Sequence, residues 1–534
     1  MSDTPPSSLK LFEVPLDPPS VRFSWRTLMK YMGPGWIMSL AFIDPGNIEA
    51  DLQSGAFTGF SFIWVLLLAH IAGLIIQTYA ARLGVVSGHG LARVCRDHYP
   101  HYLTLFLWMM AELAIIASDV QEVVGSSIAL NLLFGWPLWQ GVIATGVATI
   151  GFLVMYLYRG LEFIETVMIA TIGAIFFCFF FDFVNSGPNL AELAKGLVIP
   201  TAPATAAETT QLVALIGSVV MPHNLFLHSS LIGKKFINRS SNSHMAQAVK
   251  YFVYDALVAL SCSFVINLSL QGSFAQGFFS PTCALNPSGP LGCDPTVLAF
   301  QSAVGCDLVD CSCLTSSGLP GFCSQIGLSN AGDALASILP KYATILFGVG
   351  LLAAGQASTV SGTMAGQYVM EGFVDLRVPF WLRLMVTRGI ALVPAVAVSL
   401  MQFEFAAMNN LSQSLNVLQS IQLPFALLPL LHFCAMGHLM GPFRLSRRTL
   451  GMTWTLAICL ISLNAYLLSQ HWDGLDDGWR VFVGILTVVY ASVVGWVLKS
   501  DLGHLMCWLR GQEGTQVAIK DHQIVHCDYH LLRT

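Results

Sequence analysis

The chain has 534 residues, of which 55% are hydrophobic and only 10% charged, against roughly 25% charged in an average soluble domain. With a mean hydropathy of +0.66, that little charge excludes a water-facing surface over most of the molecule and points to a lipid-facing exterior. A formal net charge of -5, without a dense basic stripe, argues against nucleic acid as a partner.

Residues 1–30 contain Pro, Ser and both signs of charge, with no apolar run before Tyr31, so they read as a cytoplasmic tail and not as a cleavable leader. Beyond them, segments of about 17–25 apolar residues recur, the length that crosses ~30 Å of hydrocarbon. They lie near 31–60, 62–84, 103–133, 138–157, 161–182, 208–235, 247–272, 341–370, 380–402, 411–436, 450–470 and 479–499. The expected fold class is therefore an all-α membrane protein of about twelve transmembrane helices. The transport domain fills 31–500, 273–340 is the one long connection, and 501–534 is a second cytoplasmic tail.

The first span is interrupted. Asp44-Pro45-Gly46-Asn47 stands in its middle, where Pro removes a backbone donor and Gly weakens the helix. Two half-helices joined by an unwound stretch are expected, and such backbone survives in a bilayer only where protein or water satisfies it. The sixth span repeats the device at Met221-Pro222-His223-Asn224. These are the first helices of two successive five-span blocks. Five is odd, so the second block enters from the opposite side, which makes an inverted repeat. Paired breaks at matching places of two halves mark a transporter's midplane site. An ordinary proline kink explains neither the Asp at one break nor the His at the other, since a mid-membrane Asp costs about 2.5–3.5 kcal/mol.

If the breaks face each other, they gather the Asp44 carboxylate, the Asn47 amide oxygen, the Met221 thioether and freed carbonyls of Ala41 and Ser218. Oxygen alone suits Ca²⁺ or Mg²⁺, whereas a soft thioether favours a transition metal. Glu112, Asp119 and Glu122 in span 3 fall within about 80° of one another around the helix. An acidic stripe at membrane depth marks a wet or proton-conducting path, with His223, His228 and Arg388 as partners. Span 8 carries a small and hydroxyl-rich face around Gln356, Ser358, Thr359, Ser361, Gly362 and Thr363, which reads as close-packed or hydrated.

Charge sets the orientation. With the N-terminus in the cytosol, 21 of the 25 Lys and Arg fall on the cytosolic side: four in the N-terminal tail, thirteen at span ends and short loops, four beyond residue 498. Both tails are then cytoplasmic and 273–340 is outside. Six cysteines lie in that loop, Cys283, Cys293, Cys306, Cys311, Cys313 and Cys323. An even cluster in an oxidising compartment reads as disulfides of undetermined pairing. The loop's Asn286-Pro287-Ser288 is blocked for glycosylation by its Pro. The C-terminal Tyr529-His530-Leu531-Leu532 has the form of a sorting signal for an endosomal adaptor.

At Asp44 through Gln53, at Met221-Pro222-His223-Asn224, from Ala354-Gly355-Gln356 through Met370-Glu371-Gly372-Phe373, and at Leu423-Pro424-Phe425-Ala426, the chain resembles the NRAMP family, the natural-resistance-associated macrophage proteins and their divalent-metal-transporter relatives. The likeness runs over residues 24–500, and twelve spans suit a eukaryotic member. It implies a LeuT-type 5+5 inverted repeat with helices 1 and 6 broken. It also implies alternating-access symport of Fe²⁺ or Mn²⁺, with Co²⁺, Cd²⁺ and Zn²⁺ as further cargo, together with protons. The membrane would be plasma, endosomal, lysosomal or vacuolar. By resemblance, Asp44, Asn47, Met221 and the Ala41 carbonyl hold the metal, and Asp119, Glu122, His223, His228 and Arg388 move protons. Ser218 replaces the family's usual Ala. In span 10 the metal-facing residue, often Gln in bacteria, is Asn416 or else Gln419. A magnesium-transporting branch lacks the Met, so Met221 argues against that activity. No cofactor is implied, since metal ions and protons are substrates.

Three other readings compete. A LeuT-type amino-acid transporter would seat a carboxylate on half-helix N-termini, where Asp44 repels it. A metal uniporter would dispense with proton coupling. A membrane enzyme or receptor would need a firm metal site, and the spans hold no His-x-x-x-His or Cys-x-x-Cys pair for one.

Overall fold

The computed structural model describes residues 14–18, 22–159, 161–284, 291–295, 312–316, 318–375 and 405–471, with scattered residues of 389–397 and 480–495 and two short strands within 517–525. Arg388, Cys306, Cys311, residues 286–288 and Tyr529–Leu532 lie outside the described residues, as does most of the spans expected at 380–402 and 479–499.

Two short helices open the chain, α1 (Trp25–Tyr31) and α2 (Pro34–Leu40), followed by α3 (Pro45–Thr58), α4 (Ile63–Ser87), α5 (Leu91–His98) and α6 (His101–Phe134). Then come α7 (Leu138–Arg159), α8 (Leu161–Asn185), α9 (Leu190–Val198), α10 (Ala206–Val219), α11 (Pro222–Gly233) and α12 (Asn242–Phe278). After the connection that follows α12 come α15 (Lys341–Val374), α16 (Phe405–Ala435) and α17 (Arg447–His471). Gly88 and Gly135, both with φ near +70°, end α4 and α6 in the left-handed conformation that a Cβ would penalise.

Eight helices among the described residues are long and apolar enough to span a bilayer. The eight count Ala206–Gly233 as one span across the second break, whereas the first span stands as the separate pieces α2 and α3. The half-helices sit inside the bundle. α12 packs against α2, α3 and α4, α10 against α3 and α16, α11 against α4, and α15 against α6 and α8. One large apolar cluster, including Phe42, Phe226, Phe373 and Phe433, follows α4 from Phe62 to Leu83. A second, including Ile48, Phe274, Phe278 and Phe347, joins α3, α12 and α15.

The connection after α12 has structure of its own. It contains α13 (Pro281–Ala284), α14 (Ala331–Ile338) and an antiparallel sheet of β1 (Gly292–Asp294), β2 (Ser312–Leu314) and β3 (Pro320–Ser324) in the order β1-β3-β2. Cys293 stands opposite Cys323 in the ladder, yet each is bonded elsewhere, in Cys283–Cys323 and Cys293–Cys313. Four of the six expected cysteines are thus paired.

At the other end, the N-terminal segment is strapped to α12. Gln247 Nε2 donates to the Pro15 carbonyl at 3.0 Å, and its Oε1 accepts from the Asp17 N–H at 2.7 Å. The Tyr251 hydroxyl donates to Asp17 and accepts from the Ser24 N–H, while Tyr31 stacks on the Tyr251 ring. Nearby, Lys235 and Glu165 form an ion pair at 2.9 Å.

Candidate functional site

Both breaks have one construction. A residue in extended conformation caps the second half-helix and Pro follows at its first position: Asp44 before Pro45 and Met221 before Pro222. Pro is tolerated there because its missing N–H would have had no helical partner. Asp44 caps with its side chain, whose Oδ1 accepts from the Asn47 backbone N–H at 2.8 Å and from Asn47 Nδ2 at 2.7 Å. Asn47 Nδ2 also reaches the Ala41 carbonyl at 3.3 Å. With Nδ2 so engaged, the amide presents its oxygen away from the cap. Asp44 Oδ2 and Asn47 Oδ1 are both fully buried and have no hydrogen-bond partner. Buried oxygens are rarely left so in a native fold. A cation bound at the break would give each a partner.

Met221 cannot cap, and no side-chain cap bond closes the start of α11. It is 1% exposed, yet it belongs to neither large apolar cluster. The Ser218 hydroxyl donates back to the Leu215 carbonyl at 3.0 Å, leaving its backbone carbonyl as the group it can offer. A carboxylate, an amide oxygen, carbonyls and a thioether form a mixed hard and soft donor set, which suits borderline transition metals better than Ca²⁺ or Mg²⁺.

Asn416 ties the breaks together. Its Nδ2 donates to the Gly46 carbonyl at 3.0 Å, and its own carbonyl lies against Gly217 of α10. Its Oδ1 accepts from Gln121 Nε2 at 2.9 Å. Gln121 also donates to the Ser412 carbonyl at 3.0 Å and accepts from Gln419 Nε2 at 3.0 Å. The Asn416 amide is therefore committed at both atoms, whereas Gln419 Oε1 is buried and unpartnered. Of the two span 10 residues named from the sequence, Asn416 holds the backbone of the break and Gln419 keeps a free oxygen.

The acidic stripe is real and continuous with the first break. Ser118 of α6 stands next to the Asp44 carboxylate and donates to Glu122 Oε1 at 3.3 Å. Gly362 of α15 packs against the same acids: a Cβ placed there would lie 3.0 Å from Asp119 Oδ1 and 3.2 Å from Glu122 Oε1. Glu112, half-buried, lies two turns further along α6 and accepts from Trp108 Nε1 at 2.9 Å. His223 follows Pro222 at the second break, buried, with Nδ1 unpartnered. His228 is bonded through Nδ1 to Gln77 of α4, and its Nε2 has no partner.

Ser118 and Gln121 escaped the sequence reading. Their neighbours Asp119 and Glu122 were found because a charge in a span is conspicuous, while a Ser or Gln on an apolar helix signals nothing without its partners. Helical spacing held the only clue, since Ser118 lies one turn before Glu122 and one residue before Asp119.

The family model for natural resistance-associated macrophage protein-like proteins matches residues 35–470. The chain is 39% identical to the metal transporter Nramp6 of Oryza sativa subsp. japonica, over 88% of this chain and 81% of that one. It is 38% identical to natural resistance-associated macrophage protein 2 of Mus musculus, over 90% and 83%. A crystal structure of the manganese transporter of Eremococcus coleocola superposes with a TM-score of 0.73 at 29% identity, covering 92% of this chain and 98% of that one.

Proposed function

The chain belongs to the natural resistance-associated macrophage protein-like family, and on that premise we propose that it carries divalent transition-metal ions, Fe²⁺ or Mn²⁺ first, together with protons into the cytosol. It is an all-α integral membrane protein with the LeuT-type arrangement of broken helices. One observation carries the reading: Asp44 Oδ2 and Asn47 Oδ1, on two residues of the same helix break, are both buried without hydrogen-bond partners. Two lone oxygens sealed from water are costly unless a cation visits them. Asp44, Asn47 and Met221, with the Ala41 and Ser218 carbonyls, form the cargo site, and Asn416 and Gln419 stand behind it. The ion is substrate, not resident cofactor, and its single carboxylate leaves it incompletely neutralised and therefore releasable.

Proton coupling rests on contiguity. Ser118, next to the Asp44 carboxylate, donates to Glu122, and Asp119 and Glu112 extend the acids along α6. His223 at the second break supplies a further exchangeable site. Both tails lie in the cytosol in this reading, with the disulfide loop outside.

The test is uptake into proteoliposomes of the purified full chain, with a panel of metals and an internal pH-sensitive dye. Mn²⁺ or Fe²⁺ should enter with internal acidification, faster as the outside is acidified, and Asp44→Ala should abolish entry. Metal flux indifferent to pH and to a proton gradient leaves a uniporter. Near-normal uptake by Asp44→Ala removes the site assignment.

A further inference from the structure

We propose that Glu49 is the latch of an extracellular lid: it fastens the segment Gln325–Asn330, which issues from the disulfide-bonded sheet, over the cleft leading to the metal site. The inference rests on the transport reading above for what the cleft admits.

A narrow cleft runs between α6 and α16. Gln121 and Val124 line one wall, and Leu411 and Ser412 the other. Gln121 is the residue that holds Asn416, which in turn holds Gly46 at the break. That wall therefore reaches the cargo site. Glu49, Leu328 and Asn409 also line the cleft, and these three residues are tied together. The Glu49 carboxylate accepts from the Leu328 backbone N–H through Oε2 and from Gln53 Nε2 through Oε1. Asn409 Oδ1 accepts from the Ser329 hydroxyl at 2.7 Å and from its backbone N–H at 3.3 Å. Asn410 Oδ1 accepts from Gln325 Nε2 at 2.8 Å. The lid itself is shaped by Asn330, whose Oδ1 accepts from the Gly327 N–H at 2.9 Å and whose Nδ2 donates to the Gln325 carbonyl at 3.0 Å.

A closed turn of this kind, bonded internally and fastened at one edge to α3 and at the other to α16, moves as a unit. Strand β3 ends at Ser324, next to Gln325, and Cys323 anchors it to Cys283. The lid therefore swings from a fixed post. Glu49 is the tie on the α3 edge and has both carboxyl oxygens engaged, Oε2 by the Leu328 N–H and Oε1 by Gln53. Gly327 has no side chain because Asn409 occupies the space where a Cβ would stand. Released, the turn uncovers the cleft; fastened, it lies against Glu49, which is buried with the rest of α3.

Accessibility tests this without depending on transport. A cysteine at Val124 in the cleft wall is labelled from outside with a membrane-impermeant methanethiosulfonate, with the parent chain giving the background. Adding Glu49→Ala should raise the labelling rate at least about tenfold, equivalent to ~1.4 kcal/mol. Glu49→Gln, which keeps an acceptor for the Leu328 N–H, should stay closer to the parent than Glu49→Ala does. Asn409→Ala cuts the opposite edge and should also speed labelling, so the idea stays testable if Glu49→Ala fails to reach the membrane. Equal rates with and without the two latch changes overturn the lid. Faster labelling in a protein that moves no metal keeps the lid and removes the transport reading.

Discussion

Replacing Gln121 by Met keeps the length of the side chain and deletes its amide. Two Nε2 protons serve Asn416 Oδ1 and Ser412 in this structure, and Oε1 receives Gln419 Nε2, so three effective hydrogen bonds disappear. In membrane interiors such bonds average about 0.6 kcal/mol each, because the unfolded state also finds partners. Three of them come to about 2 kcal/mol, or about 30-fold in an equilibrium constant. The loss falls on the organisation of the site, since Asn416 is no longer held against the Gly46 carbonyl from behind and Gln419 is free to rotate. The half-saturating Mn²⁺ concentration in proteoliposomes should rise by about 10- to 30-fold, with a smaller change in maximal rate. Thermal unfolding in detergent should drop by a few degrees, and Val124→Ala in the same wall should leave half-saturation near the parent. A Gln121→Met protein with parental half-saturation would show that Asn416 holds the break unaided, and the positioning argument would fail.

Three further outcomes follow from the same geometry. Met221→Ala removes the sulfur, and discrimination of ~100-fold is worth only ~2.7 kcal/mol, so Ca²⁺ flux relative to Mn²⁺ should rise by about tenfold or more; an unchanged ratio removes the thioether from selectivity. Ser118→Ala removes the hydroxyl that stands next to Asp44 and donates to Glu122, and the protons carried per metal ion should fall while Mn²⁺ half-saturation moves less than about tenfold. An intact proton-to-metal ratio would place the proton route elsewhere. Tyr251→Phe deletes the hydroxyl between Asp17 and the Ser24 N–H, a loss of about 1–3 kcal/mol where the buried partners stay dry. Limited proteolysis before Trp25 should quicken with Mn²⁺ half-saturation unchanged, and unaltered cleavage would mean that the Gln247 bonds hold the strap alone.

Much of the candidate site was legible because membranes make polarity conspicuous. Asp44 and the Pro beside it stand out against an apolar run, and the matching Pro-x-Asn at Met221 supplies the second half. Both predicted breaks are present where the sequence places them. The same logic finds Glu112, Asp119, Glu122, His223 and His228. It fails for Ser118, Gln121 and Gln53, whose neutral side chains raise no signal until their partners across the bundle are known. It also leaves Asn416 and Gln419 undivided, since one turn of helix separates them and only the contacts to Gly46 and Gln121 tell them apart.

What the sequence alone determined is therefore whatever a bilayer punishes locally: span length, broken helices, buried charge, the cysteine cluster and the bias of Lys and Arg. Each is a property of a short stretch, because water is absent along the whole length of a span and every unsatisfied group counts. The tertiary structure decided what depends on distant segments meeting. It chose Cys283–Cys323 and Cys293–Cys313 over the other pairings of those four cysteines, bound the loop turn to Glu49 and Asn409, and set Gly362 against two carboxylates on another helix. Such contacts join residues tens to hundreds of positions apart, and hydrogen-bond geometry at that range is fixed by packing, which no local pattern encodes.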